Sequence, residues 1–153
     1  MESVKIKIEL IPIKTEALIK ECAPLLMEAY NAEPWNDQWT LDRAFERLNY
    51  GFLSPNFFGL AAIRNDRVIA CLFGNFEPND KGDFFYLRDM MVADQERRTG
   101  LGSMLLDSLK KHLEIVGVKS VLMLTHNSYH TVPFYQKNGF QFLDEMRIMY
   151  IDE

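Results

Sequence analysis

Residues 84–102, FFYLRDMMVADQERRTGLG, constrain the fold more than any other stretch of the chain. The run opens on consecutive β-formers and closes on arginines and glycines. From Gly102 it passes straight into SMLLDSLKKHLEIVG, and Leu101, Leu105, Leu109 and Leu113 recur every fourth residue. The pattern predicts a strand, a tight basic glycine loop and an amphipathic helix, in that order. A helix start offers backbone N–H groups with no partner inside the helix, and the macrodipole adds partial positive charge there. Glycine at 100 and 102 removes Cβ atoms that would hold a ligand away from those amides. Arg97 and Arg98 add full charge beside them. Such a turn suits an anion, above all a phosphate.

Two common phosphate motifs are excluded. The dinucleotide fingerprint GxGxxG needs a third glycine where Leu105 stands, and no GxxxxGK[ST] occurs anywhere. What stands here is Arg97-x-x-Gly100-x-Gly102, after a strand and opening a helix. It resembles motif A of the GCN5-related N-acetyltransferases, the GNAT superfamily. Downstream, PFYQKNGF at 133–140 resembles the FYxKxGF signature of motif B in the same family.

The resemblance implies an α+β fold, a mixed sheet flanked by helices, in which the central strand and KSVLMLT (119–125) run parallel and splay apart. It implies acetyl-CoA as co-substrate, with the pantetheine arm in the gap against the backbone of Met90, Met91 and Val92. The same backbone could stabilise an oxyanion. The pyrophosphate falls to the loop and helix start, Arg97, Arg98, Thr99, Gly100, Leu101, Gly102 and Ser103. Motif B makes Tyr135 the general acid for the departing thiolate, with water as the alternative; a phenol with a pKa near 10 is suited to it. Where the family often has an asparagine seven residues before that tyrosine, this chain has Ser128, with Asn127 one earlier; either is a candidate pantetheine contact.

The rest of the chain reads as one domain, 1–153, long enough to bury a sizeable core. Hydrophobic residues make up 48% and charged ones 25%, as in ordinary soluble globules. A net charge of −5 argues against nucleic-acid or anionic-membrane partners. Cys22 and Cys71 form no CxxC, so two buried thiols in a reducing, cytoplasmic setting are expected, and no metal site. The alternating start MESVKIKIEL is not a signal peptide, and no apolar run is long enough to span a membrane. His126 and His130 share an i, i+4 spacing but have no third ligand nearby in sequence; either could shuttle a proton.

The expected element order is β-α-α-β-β-β-α-β-α-β. Val4, Ile6, Ile8 and Leu10 alternate as a first strand. Residues 15–31 show helical spacing, with Pro24 either kinking one helix or opening a second. Thr40 is a candidate N-cap for LDRAFERLNYGF. FFGLAAI (57–63) and RVIACLFGNFE (67–77) form a hairpin through Asn65-Asp66, and the central strand spans 83–93. A helix is expected over 129–138, and a final alternating strand over 140–152.

An amine must be neutral to attack, so a general base is needed. Asp89 and Glu77 are the candidates. Asp89 alternates away from Arg88, and a structural pairing of Asp89 with an arginine is the equal alternative. Glu33, Trp35, Asp37 and Trp39 fall where this fold lines its acceptor pocket, and aromatic faces with carboxylates suit a cation; the alternative is that the tryptophans cap the sheet. The expected activity is transfer of acetyl from acetyl-CoA to a primary, small cationic amine in a ternary complex. A non-catalytic coenzyme A-binding module and an acetyltransferase acting on a protein amino group are the alternatives. The oligomeric state is left open, a homodimer included.

Overall fold

In a computed structural model that describes residues 7–152, five strands form one sheet in the order β1-β2-β3-β4-β5. The strands are β1 (Glu9–Pro12), β2 (Phe57–Arg64), β3 (Arg67–Asn79), β4 (Gly82–Val92) and β5 (Val121–Met123). The β1–β2, β2–β3 and β3–β4 pairings are antiparallel, whereas β4 and β5 run parallel. Four helices flank them: α1 (Glu16–Asn31), α2 (Leu41–Leu53), α3 (Leu101–Val116) and α4 (Thr131–Lys137). The result is the mixed α+β architecture that the motifs imply.

Local chemistry sets most boundaries. The hydroxyls of Thr15 and Thr40 accept from Leu18 N and Arg43 N, each at 3.2 Å, and cap α1 and α2; such caps contribute about 1 kcal/mol each. Pro24 lies inside a single continuous α1, so it splits nothing. Asn65 and Asp66 both have positive φ, at 50° and 60°, the backbone a two-residue hairpin turn requires. Gly117 ends α3 at φ 78°, as a left-handed C-terminal glycine does.

The sheet separates two cores. Ile19, Cys22, Leu26 and Leu48 of α1 and α2 pack on one face with Ala61, Cys71, Phe73 and Met91. On the other face, Leu101, Leu105, Leu106, Leu109 and Leu113 of α3 pack on Leu60, Leu72, Phe85 and Leu87. Burying each of these leucines is worth about 1.5–3 kcal/mol over leaving it in water.

Three expectations need revision. The first strand begins at Glu9, and the Val4 and Ile6 half of that expectation lies outside the described residues. The helix expected over 129–138 is shorter, Thr131–Lys137. No strand forms over 140–152: residues 141–152 are all exposed and pair with nothing in the sheet. Alternation supplies the side-chain pattern of a strand but not its partner, and this segment does not pair with β5, the last strand of the sheet.

Candidate active site

A β-bulge organises the centre of the molecule. Phe73 pairs with Asp89 but Gly74 pairs with Leu87, so Arg88 is the extra residue on β4. Such a bulge reverses the alternation of everything beyond it. Phe85 and Leu87 therefore face α3, whereas Asp89 and Met91 turn toward α1 and α2. Strict alternation would put Arg88 and Asp89 on opposite faces. The bulge instead brings both to one cleft.

Asp89 is buried, at 4% exposure. The Tyr30 hydroxyl donates to its Oδ1 at 2.6 Å. Arg47 donates through Nε to Oδ2 at 2.9 Å and through Nη2 to Oδ1 at 3.2 Å. Burial pushes the carboxyl above its ordinary range, while the Arg47 charge and the donors on it pull in the opposite direction. Burial also drives the Tyr30 phenol far up, and the Asp89 charge reinforces this, so Tyr30 stays protonated.

Past Leu87, β4 runs on to Val92 along β3 but loses β5, whose pairing ends at Met123. Residues 88–92 thus present one open backbone edge to a gap, and such an edge accepts an extended amide-bearing ligand. The gap belongs to a cleft of about 870 Å³ that also holds Arg97, Arg98, Gly100, Leu101, Gly102 and Ser103. At its end, α3 starts without a side-chain cap, unlike α1 and α2, and its first amides are left for an outside partner. Gly100 sits at φ 84°, and a Cβ there would meet nothing within 4 Å.

Gly102 does a different job from the one its place in the loop implies. Its Cβ would stand 2.9 Å from Phe134 Cζ and 3.1 Å from Met90 Cε. The missing side chain lets α3 approach α4 and β4 closely; it is not over the amides. Arg97 lies 3.7 Å from Asp94, and among the described residues Arg98 forms no ion pair. Thr99 does not line the cleft, and its hydroxyl donates to the Glu96 carbonyl at 2.6 Å.

Tyr135 lines the same cleft between Phe134 and Phe140, with ring centroids 5.1 and 5.5 Å away. Burial, and then the Asp89 charge, push its phenol up to about 12. Asn127 lines neither cleft, and Ser128 bonds Thr131 through both its hydroxyl and the Thr131 amide at the start of α4. His130 lines the large cleft, whereas His126 stacks edge-on against Trp35 at 5.2 Å.

A second cleft, of about 420 Å³, opens beside the first. Asp37 and Trp39 line it, and Glu33 lines only the larger one, so the four expected acceptor residues are divided. Trp39 Nε1 donates to Asp37 Oδ2 at 3.0 Å, and Asn31 clamps the Trp39 backbone at 2.7 and 2.9 Å. The two clefts share Tyr30, Trp35, Arg88, Asp89, Leu124 and Thr125. Glu77, the other candidate base, is on neither wall and receives Arg88 Nη2 at 3.2 Å.

Sequence reasoning passes over Tyr30 and Arg47. Tyr30 sits on the apolar face of α1, and Arg47 reads as one charge on an amphipathic helix. The available signal is Asp89 itself, since a carboxylate inside an apolar strand requires donors from facing elements.

This fold and site define an acyltransferase, and the comparisons agree. A match to the acetyltransferase (GNAT) family covers residues 19–140, and the chain belongs to that family, whose members use acetyl-CoA. No curated protein sequence matches it. Among solved structures, an integron cassette protein from the mobile metagenome of V. cholerae superposes with a TM-score of 0.79 at 15% identity, over 97% of this chain and 94% of that one. The aminoglycoside N-acetyltransferase AAC(6')-Iy, solved in complex with CoA, gives 0.76 at 11% identity over 100% and 99%. AAC(6')-Ih from Acinetobacter baumannii gives 0.71 at 15% over 96% and 98%. At such identities the likeness establishes the fold.

Proposed function

We propose that the chain moves the acetyl group of acetyl-CoA to a primary amine of a small cationic molecule, by direct attack in a ternary complex. The observation that carries this reading is the junction of the two clefts, where Tyr30 and Asp89 stand on the walls of both. The larger cleft suits the coenzyme and the smaller one the acceptor. Their shared walls bring the two reactants together, which is the main requirement of a two-substrate reaction without a covalent enzyme intermediate.

The residues present fit acetyl-CoA. The open β4 edge at Met90, Met91 and Val92 would hold the amide-bearing arm, and the uncapped amides of Leu101, Gly102 and Ser103 would hold the pyrophosphate. Arg98 would add charge there, with Arg97 shared between Asp94 and the ligand. Bound in this way, acetyl-CoA supplies an activated acetyl thioester.

The chain's own groups then manage the protons. Both Asp89 oxygens are occupied by Tyr30 and Arg47, so an acceptor proton reaches the carboxylate through the Tyr30 hydroxyl. The phenol oxygen takes the amine proton as its own passes to Asp89 Oδ1. Burial raises the basicity of Asp89, which favours this direction. Tyr135, protonated throughout the working range, donates toward the leaving sulfur.

Asp37 supports a cationic acceptor. Arg47 and Arg88 on the same wall are matched by Asp89 and Glu77, whereas Asp37 has no cationic partner within 4 Å among the described residues. Aminoglycoside acetyltransferases among the structural neighbours also favour an amine acceptor. The test is thiol release from acetyl-CoA with a panel of polyamines, aminoglycosides, amino acids and amino-terminal peptides. Turnover with a polycationic small amine is expected. Tight coenzyme binding with no turnover on any amine would make the chain a binding module, and turnover on peptides alone would move the acceptor to proteins.

A further inference from the structure

The loop between β4 and α3, residues 93–100, carries no net charge of its own. Asp94 and Glu96 supply two carboxylates, and Arg97 and Arg98 supply two guanidinium groups. The two carboxylates stand in different places. The Asp94 side chain is 75% exposed, 3.7 Å from Arg97, and lines neither cleft. Glu96 lines the larger cleft beside Arg97, Arg98 and Gly100, and its side chain is only 14% exposed. Salt and water screen a charge in that position poorly. Left alone, it would repel the same phosphates that the two arginines attract.

The compensating charge comes from another element. Arg64, the last residue of β2, donates through Nη2 to Glu96 Oε2. Arg64 lines neither cleft, so it acts on Glu96 from behind and not on a ligand. Backbone and hydroxyl bonds already fix the path of the loop. Ala93 N donates to the Ile69 carbonyl at 2.8 Å and Glu96 N to the Ala93 carbonyl at 2.8 Å, and the Thr99 hydroxyl holds the Glu96 carbonyl at 2.6 Å. Glu96 is the one hydrogen-bond partner of the Arg64 side chain among the described residues, and Arg64 Nε is buried with none. An unpaired buried donor costs free energy, so this arginine is poorly made as a structural tie. What it supplies to Glu96 is charge.

We propose that Arg64 is a positioning residue of the coenzyme site. It holds the Glu96 carboxylate toward the end of β2 and cancels its charge, which turns a neutral loop into one with a surplus positive charge. Arg97 and Arg98 can then act on an anion without opposition from within their own loop. The proposal rests on the reading that the larger cleft takes coenzyme A, with its phosphates at the start of α3. It holds whatever the acceptor is.

Calorimetric titration of coenzyme A into the full chain tests it, with Arg64→Met, Glu96→Gln and the double variant alongside. Arg64→Met leaves Glu96 charged and unpaired, so binding should weaken roughly ten-fold, and added salt should shrink the loss. Glu96→Gln should bind at least as tightly as the natural chain. The double variant should recover most of the affinity lost in Arg64→Met, because the carboxylate that Arg64 restrains is gone. A structural tie predicts the opposite pattern, since all three variants lack the ion pair and all three would bind weakly. Unchanged affinity in Arg64→Met would overturn the proposal, as would a double variant as weak as Arg64→Met. If Arg64→Met does not fold, Glu96→Gln decides alone, and weakened binding there overturns the proposal. A natural chain that takes up no coenzyme A removes the reading of the larger cleft, and this proposal with it.

Discussion

The Tyr30 hydroxyl meets Asp89 Oδ1 at 2.6 Å, across 59 residues of sequence, where the larger and smaller clefts join. The contact joins the C-terminal turn of α1 to the bulged part of β4. It sets a hydroxyl beside a buried carboxylate whose two oxygens also accept from Arg47.

If the acceptor proton travels through that pair, Tyr30→Phe and Asp89→Asn interrupt one path. Each should lower kcat by roughly 10²–10⁴-fold, with coenzyme affinity nearly unchanged. The double variant should be little worse than either single one, because the two groups act as a unit. Steady-state kinetics on the three variants decide the matter. Full activity in Tyr30→Phe, or losses that multiply, would take Tyr30 out of the proton path.

Gly100 and Gly102 should fail differently when given a methyl group. Gly100→Ala meets no atom but must hold a left-handed φ, costing about 1–2 kcal/mol, so stability falls and the coenzyme still binds once the chain is folded. Gly102→Ala collides with the Phe134 ring and shifts a wall of the larger cleft, so coenzyme affinity falls as well. Calorimetry and thermal melts on both variants separate the two. Equal affinity in a folded Gly102→Ala would free that wall from the coenzyme reading.

Tyr135 makes a prediction in activity and one in stability. Tyr135→Phe keeps the ring and removes the proton, so turnover should fall roughly ten- to ten-thousand-fold. The folded phenol titrates at about 12 against 10.0 for an unperturbed tyrosine. The folded chain therefore holds a proton that the unfolded chain releases above pH 10. Stability present below pH 10 should be lost as pH rises toward 12, by up to about 1.4 kcal/mol for each pH unit. Denaturant titrations at pH 9, 10.5 and 12 should show a shallower decline in the variant. Parallel declines would mean that Tyr135 does not titrate as a buried group.

The sequence makes some of this site readable and hides the rest for a physical reason. Arg97 and Gly100 are legible because a strand-loop-helix passage puts the loop's charge and its glycine close together in sequence, whereas the packing of Gly102 against Phe134 is not, because the two residues are distant in sequence. The β2–β3 hairpin and the α3 leucine face are legible because period 2 and period 3.6 are local. The bulge at Arg88 is not, since an added residue leaves the composition of an apolar strand unchanged and shows only against the facing strand. Without it, Asp89 cannot be assigned to the α1 face, and Tyr30 and Arg47 have no visible partner. The segment 140–152 errs the other way. Its alternation carries the side-chain pattern of a strand, but the segment pairs with no strand of the sheet.

The acceptor preference rests on Asp37 and can be tested by sign. Asp37 lines the smaller cleft, held by the Trp39 indole at 3.0 Å, and among the described residues no Lys or Arg lies within 4 Å of it. Its charge is therefore available to a ligand. Glu33 lines only the larger cleft, so the two carboxylates should behave differently. Asp37→Asn should raise KM for a polycationic amine by roughly three- to thirty-fold, as loss of a partly exposed charge contact does, and raise it less for an amine with a neutral body. Added salt should shrink the difference, because screening weakens the same attraction in the unmodified chain. Glu33→Gln should leave both KM values close to their starting points. A cationic acceptor must also shed a proton before it attacks, so turnover should climb with pH until the amine is neutral. Initial rates for both amines at low and high ionic strength give all of these quantities. Equal losses for the two amines, insensitive to salt, would reduce Asp37 to a partner for Trp39 and remove the charge preference from the acceptor.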